Sequence, residues 1–280
     1  MKRRTIVLLI AGALLLGLTL PGLYNPLTVV RYAVEAPGVS GSLRMALVTD
    51  LHSCGYGEGQ RELLDAIDRE APDLVLLGGD IFDNRLPEDK AEAFLRGLSG
   101  KYPVYYVTGN HEYWSGREGF ARKMAILAEC GITRLSGDAV DVGISGISLC
   151  GVDDPYAWIT RGGFVERAEG SFREQAARAA ELAGDSAFTV LLTHRPELLD
   201  FYSQCGFDLV LSGHAHGGQW RIPGLLNGLY APNQGLFPAY AGGRYEKGGT
   251  QMIVSRGLAR ESTLVPRFYN RPEVVVVEIN

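Results

Sequence analysis

The sequence predicts an α/β domain built around buried β-sheets, preceded by an N-terminal membrane helix. From Leu43 onward, short β-type runs alternate with helical stretches, the rhythm of strands joined through helices. Runs such as Val75-Leu76-Leu77 and Val190-Leu191-Leu192 are continuously apolar, as strands covered on both faces are. A composition of 46% hydrophobic and 21% charged residues is that of a globular chain and excludes disorder and a polytopic membrane protein.

The chain opens with Lys2, Arg3 and Arg4 ahead of an apolar stretch from Ile6 to Leu20. Extended to Tyr24, it approaches the roughly 20 residues that span hydrocarbon. A cleaved signal peptide shares this start but needs a small-x-small site, and Leu18, Leu20, Pro21, Leu23 and Tyr24 offer a poor one. Residues 1–24 are therefore expected to be a membrane anchor or signal-anchor helix, and Arg3-Arg4 also permits a twin-arginine export signal. With the basic residues inside, the expectation is a single-pass protein of the cell membrane with an extracytoplasmic domain. Residues 25–42, carrying Pro26, Pro37, Gly38 and Gly41, read as a linker, and 43–280 as one continuous domain.

Within that domain Leu43 to Thr49 is the first strand. Arg61 to Glu70 follows as a helix, with Leu63, Leu64 and Ile67 at helical spacing, and Asp73 to Leu77 completes a βαβ unit. Glu88 to Leu98 and Arg117 to Cys130 are helical, on either side of a strand from Val104 to Thr108, and lead to a Gly-punctuated β region between Val140 and Val152. Ser171 to Leu182 is a helix with an Ala-rich face, Phe188 to Thr193 a strand, and Pro196 to Tyr202 a short helix opened by proline. Asp208 to Leu211 is the next strand. Gly and Pro then crowd Gly217 to Gly249, which predicts loops and hairpins, before Met252 to Ser255 and Glu273 to Ile279 close as strands.

A formal net charge of -5 argues against nucleic acid as a stable partner, which calls for a basic surface. The four cysteines form no Cys-x-x-Cys pair, so a zinc ribbon or dithiol motif is not expected. They read as small buried residues, with a reactive thiol as the alternative for Cys54.

The informative feature is where metal-ligand residue types fall. All five histidines stand where strand-like runs end: Asp50 and His52 after Leu47-Val48-Thr49, Asp80 after Val75-Leu76-Leu77-Gly78-Gly79, Asn110 and His111 after Tyr105-Tyr106-Val107, His194 after Leu191-Leu192-Thr193, and His214 and His216 after Leu209-Val210-Leu211. In α/β folds the C-terminal strand edge gathers ligands. Each fragment alone has a plain reading: Gly-Asp as a turn or helix cap, a lone His as a satisfied core residue. His-x-His is stronger, since alternate residues of an extended segment converge on one ion. Five such fragments in one order are far harder to explain as turns.

These blocks, Asp-x-His, Gly-Asp, Gly-Asn-His, a single His and Gly-His-x-His, resemble the calcineurin-like metallophosphoesterase superfamily. The pieces Ser212-Gly213-His214-Ala215-His216-Gly217-Gly218-Gln219 and Val254-Ser255-Arg256-Gly257-Leu258 look like its membrane-associated bacterial phosphodiesterase branch. The resemblance implies a four-layer sandwich, two β-sheets packed between helices. It implies one metal held by Asp50, His52, Asp80 and His216 and another by Asp80, Asn110, His194 and His214, with Asp80 bridging. Such a ligand mix suits manganese, iron, zinc or cobalt. Two divalent ions of this kind, about 4 Å apart, acidify a shared water and offset phosphoryl charge.

His111, outside that ligand set, is expected to stabilise the transition state or protonate the leaving group, with a supporting role as the alternative; Asp50 or another carboxylate would orient it. Glu112 stands where the branch often carries Asp. Arg256 either reaches a substrate phosphate or sits in an ion pair, with Arg244 and Arg195 ranked below it. Tyr113 and Trp114 either wall the cleft or belong to the core. The expected function is hydrolysis of phosphodiester or pyrophosphate bonds, on a lipid-linked substrate at the membrane. The alternatives are an enzyme like UDP-2,3-diacylglucosamine pyrophosphatase and, more remotely, a non-catalytic metal-binding module.

Overall fold

A computed structural model describes residues 3–144, 146–159, 171–263 and 265–280; Lys2, part of the expected N-terminal signal, lies outside them. Helix α1 (Arg3–Leu23) opens the chain. Among the described residues no helix is long and apolar enough to cross a membrane, so the expected membrane span finds no support in the structure. The stretch expected as a linker is also different: Thr28–Val34 forms strand β1. Its sequence, Thr-Val-Val-Arg-Tyr-Ala-Val, is rich in β-branched residues, but the prolines on either side outweighed that signal.

The remaining elements follow the expected order. They are β2 (Leu43–Val48), α2 (Arg61–Glu70), β3 (Leu74–Gly78), α3 (Asp89–Leu98), β4 (Val104–Val107), the short α4 (Asn110–Trp114), α5 (Gly116–Glu129) and β5 (Thr133–Arg134). Then come β6 (Asp138–Asp141), β7 (Ile147–Gly151), α6 (Phe172–Ala183), β8 (Phe188–Leu192), α7 (Leu199–Tyr202) and β9 (Leu209–Ser212). The Gly- and Pro-rich stretch holds a small hairpin, β10 (Tyr230–Ala231) with β11 (Gly235–Leu236), and then β12 (Gly243–Lys247), β13 (Thr250–Val254) and β14 (Glu273–Ile279) complete the fold. Ser171 caps α6 as its sequence suggests, its hydroxyl accepting the Glu174 N–H at 3.3 Å.

Two six-stranded sheets result, ordered β1-β14-β2-β3-β4-β5 and β12-β13-β9-β8-β7-β6. Strands β2 through β5 run parallel in the first, and β7, β8, β9 and β13 in the second. Because side chains alternate along a strand, each central strand feeds two cores. Leu43, Met45 and Leu47 of β2 meet Val190 and Leu192 of β8 and Leu209 and Leu211 of β9 in one cluster between the sheets. Ala46 and Val48 point the other way, onto Leu63, Ile67, Phe94 and Leu98 of α2 and α3. On the far side, Leu191 and Val210 pack under Ala176 and Ala179 of α6. The layers are helix, sheet, sheet, helix. A fully buried Leu or Val contributes about 1.5–3 kcal/mol, so the middle cluster is what fixes the sheets face to face. It also brings the C-terminal ends of β2, β3 and β4 up against those of β8 and β9.

Candidate metal centre

The loops that leave these strand ends are held under backbone strain. Asp50, His52, Asp80, His214 and His216 all adopt left-handed φ values, at 52°, 48°, 52°, 63° and 48°. Residues with a Cβ avoid that region at a cost of order 1–3 kcal/mol each, and such outliers cluster at functional sites. Hydrogen bonds impose it: the Asp50 N–H donates to the Gly79 carbonyl at 3.0 Å and the His52 N–H to that of Asp80 at 2.9 Å. Two glycines let the loops close. Gly79 has φ +87°, and a Cβ there would stand 2.6 Å from His194 Nδ1; at Gly213 it would stand 2.4 Å from an Asp50 carboxylate oxygen.

The result is a buried array of nitrogen and oxygen donors. Asp80 Oδ2 lies 3.2 Å from His194 Nε2 and 3.6 Å from His52 Nε2. His216 Nε2 is 3.5 Å from Asp50 Oδ1, and His214 Nδ1 is 3.2 Å from His194 Nε2. Donor atoms of Asp50, His52 and His216 fall within 4.8 Å of one another, as do those of Asp80, His194 and His214. His214 and His216 therefore serve different groups and do not converge on one ion, because the left-handed turns at both positions replace the extended geometry expected of His-x-His. His52, Asp80 and His111 form a third such group, which places His111 nearer the ligand set than its sequence position implied. Asn110 is buried at the start of α4, and its Oδ1, like His52 Nε2, is buried without a hydrogen-bond partner.

Outer partners set which ring nitrogen faces inward. His194 Nδ1 is 2.8 Å from the Gly78 carbonyl oxygen, His52 Nδ1 is 3.1 Å from Asp83 Oδ2, and His214 Nε2 is 2.8 Å from Asn233 Oδ1. With the nitrogens of His194 and His52 donating, His194 Nε2 and His52 Nε2 are left as ligand lone pairs. Arg195 also stands 2.8 Å from His214 Nε2, and it is buried by a two-pronged ion pair with Asp154.

Electrostatically the array favours added positive charge. Burial opposes protonation of His194, yet Asp80 and Asp50 outweigh it and push the imidazole up to about 10. Burial likewise opposes ionisation of Asp80, and His194 and His111 hold it well below the usual carboxylate range. Burial pushes Asp50 up, which a cation beside it would reverse. His214 and His216 are held low, first by burial, then by Arg195 and His52 respectively. A site with two carboxylates, imidazoles held uncharged at His214 and His216, and ligand atoms of His52 and Asn110 without partners fits divalent ions.

Comparison with known proteins agrees with this geometry. The family profile "Calcineurin-like phosphoesterase" matches residues 43–218. The chain belongs to that family. An uncharacterized metallophosphoesterase of Helicobacter pylori is 32% identical over 222 residues, 77% of this chain and 54% of that one. The metallophosphoesterase YkuE of Bacillus subtilis is 27% identical over 81% of this chain and 76% of its own. This calcineurin-like phosphoesterase thus spans about half the length of the Helicobacter relatives. The NAD nucleotidase of Haemophilus influenzae shares the fold alone, with a TM-score of 0.55 at 18% identity, covering 79% of this chain and 46% of that one.

Around the metal centre of this calcineurin-like phosphoesterase, several residues differ from their sequence reading. The carboxylate nearest His111 is another one, Asp83: its Oδ2 reaches His52 Nδ1 and lies 3.2 Å from His111 Nδ1, outside hydrogen-bond alignment. His52 and His111 hold Asp83 far below the usual carboxylate range despite burial. Glu112 is a buried brace that accepts the N–H groups of Asp80 at 3.1 Å, Phe82 at 3.1 Å and Gly109 at 2.8 Å. The two aromatics divide: Tyr113 is buried and stacks on Phe120 at 4.9 Å, whereas Trp114 is exposed and lies 4.5 Å from the His111 ring. Arg256 is ion-paired with Glu273, the second of its two readings. Arg244 donates to the Ala33 carbonyl at 3.1 Å, and Arg195 pairs with Asp154 while standing beside His214. All four cysteines are free, and burial pushes the Cys54 thiol up, against a reactive role.

Proposed function

We propose that this protein is a metal-dependent hydrolase of phosphodiester or pyrophosphate bonds acting with two divalent ions, of manganese, iron, zinc or cobalt. The observation that carries the reading is Asp80, whose one oxygen stands between His52 and His194 and so links the two ligand groups. Asp50, His52 and His216 would hold one ion and Asn110, His194 and His214 the other. When bound, such a pair supplies an acidified water and neutralises phosphoryl charge.

The chain's own groups do the rest. A cleft of about 290 Å³ opens over His52, His111 and His216 and is walled by Gln219, Tyr230, Pro232 and Val265. Its size suits a phosphate with one substituent. His111 is 21% exposed beside this cleft, placed to donate a proton to the departing oxygen. Asp83 holds its Nδ1 side and Trp114 covers one face. The cleft rim is apolar at Tyr230 and Val265, 53% and 47% exposed, which favours a substrate with a lipid or other apolar substituent. The basic-then-apolar start of the sequence favours placement at the outer face of the cell membrane, and residues 212–219 and 254–258 favour the membrane-associated bacterial branch.

Hydrolysis of bis-p-nitrophenyl phosphate with added manganese tests the reading. The parent protein should turn over, Asp80→Ala should be inactive, and His111→Ala should fall by about 10²–10⁴-fold. Equal turnover in all three sinks it. Release of UMP from a UDP-linked diacylglucosamine, without cleavage of simple diesters, would favour the narrower pyrophosphatase reading.

A further inference from the structure

A second cavity of about 460 Å³ shares no lining residue with the metal cleft; Arg221, Arg256, Ile222, Leu225, Leu226 and Tyr269 are among those that line it. Two guanidinium groups stand close together there, and Gly242 packs on both: a Cβ at that position would meet Arg256 Cγ at 2.7 Å and Arg221 Nη1 at 3.1 Å. Among the described residues only one carboxylate answers them. Glu273 pairs with Arg256, while Arg221 donates to the neutral Asn227 side chain and its Nη1 is buried with no hydrogen-bond partner. The other groups acting on Arg221 are the side chains of Tyr32 and Tyr245. The pocket therefore carries one positive charge that no described carboxylate pairs, which an anion in the cavity would balance.

The walls say which anion. Ile222 and Leu226 pair across a tight turn, with the Ile222 N–H donating to the Leu226 carbonyl at 3.0 Å. The turn projects Ile222 at 48% and Leu225 at 82% exposure. The apolar surface continues through Trp220, 5.5 Å from the Phe268 ring, to α1. There Phe268 abuts Gly22, the Tyr269 N–H donates to the Gly22 carbonyl at 2.7 Å, and Leu18 and Leu20 are 65% and 62% exposed. A contiguous exposed apolar strip with a cationic pocket beside it is the arrangement of an interfacial lipid contact, whereas a pocket for free phosphate has no use for the strip. We propose that the Arg221–Arg256 pocket binds the phosphate of an anionic phospholipid headgroup while the turn at residues 222–226 seats in the lipid interface. The test reads binding without turnover, so this proposal and the hydrolase reading fail independently.

Full-length protein is floated with vesicles of phosphatidylcholine alone and of phosphatidylcholine doped with phosphatidylglycerol, and hydrogen exchange is followed at residues 221–227. Doping should strengthen partition and protect this turn, by about fivefold in affinity per engaged guanidinium. Arg221→Gln should lose about fivefold on doped vesicles and nothing on neutral ones, so any contribution of α1, common to both proteins, cancels. Leu225→Ser, at an exposed position where folding is not at issue, should weaken binding to both. Unchanged partition in either variant overturns the proposal. So does inorganic phosphate alone protecting residues 221–227 as fully as doped vesicles, which would make the pocket a site for free phosphate.

Discussion

Asp83 and Glu112 show how much of a metal site is set by carboxylates that hold no metal. Asp83 fixes which nitrogen of His52 faces inward, and losing such an outer partner typically costs 10–100-fold in metal affinity. Asp83→Ala should therefore weaken manganese binding, measured by calorimetry, by about 10–100-fold with little change in the far-ultraviolet spectrum; unaltered affinity would remove Asp83 from the site. Glu112→Ala orphans three buried backbone donors and should lower unfolding free energy by about 3 kcal/mol or more, read as a shifted urea midpoint. The candidate ligands were legible because strand-end Asp, Asn and His are rare enough together to stand out. Asp83 and Glu112 were not, since a carboxylate in a turn or in a helix's first turn is ordinary and only the fold shows what it faces.

At the scale of elements, the sequence reading recovered the strands whose residues are buried on both faces and missed exposed ones, β1 and the two-residue β5. Strand β1 is half-exposed along most of its length, so it lacks the continuous apolar run that betrays β2, β3 or β8. It nevertheless pairs in parallel with β14 from Thr28↔Glu273 to Val34↔Ile279. A protein trimmed to begin at Leu43 should expose the β14 edge and gain association, whereas one beginning just before Thr28 should not; light scattering of the two separates the cases. Equal behaviour would mean that β1 contributes nothing to the edge. The hairpins of the Gly- and Pro-rich stretch were expected as a class, but the pocket they build with Arg256 came from long-range packing that no local pattern encodes.

For the whole molecule, ion binding and protonation compete at His194. Its proton is held up to about 10 in the folded protein, against about 6.5 unfolded, so in ion-free protein it contributes stability that is complete below about pH 6.5 and fades as pH rises toward 10. An incoming ion must displace that proton. Apparent metal affinity should therefore rise with pH through this window by up to about tenfold per unit, with proton release visible in buffers of different ionisation enthalpy. At a hundredfold excess over Kd, ions should stabilise the fold by about 2.7 kcal/mol, or about 5 °C or more in melting temperature, and a chelator should undo it. A melting temperature indifferent to manganese would contradict the assignment.

The donors that meet at Asp80 come from opposite sheets: Asp50, His52 and Asn110 follow strands of one, His194, His214 and His216 strands of the other. A cation seated among them is a rivet through the sandwich, and the two slabs cannot slide past each other without prising it loose. On the proposed two-ion reading, metal supply would then govern how long the protein lasts, with the starved form the first to be recognised and cleared by proteases.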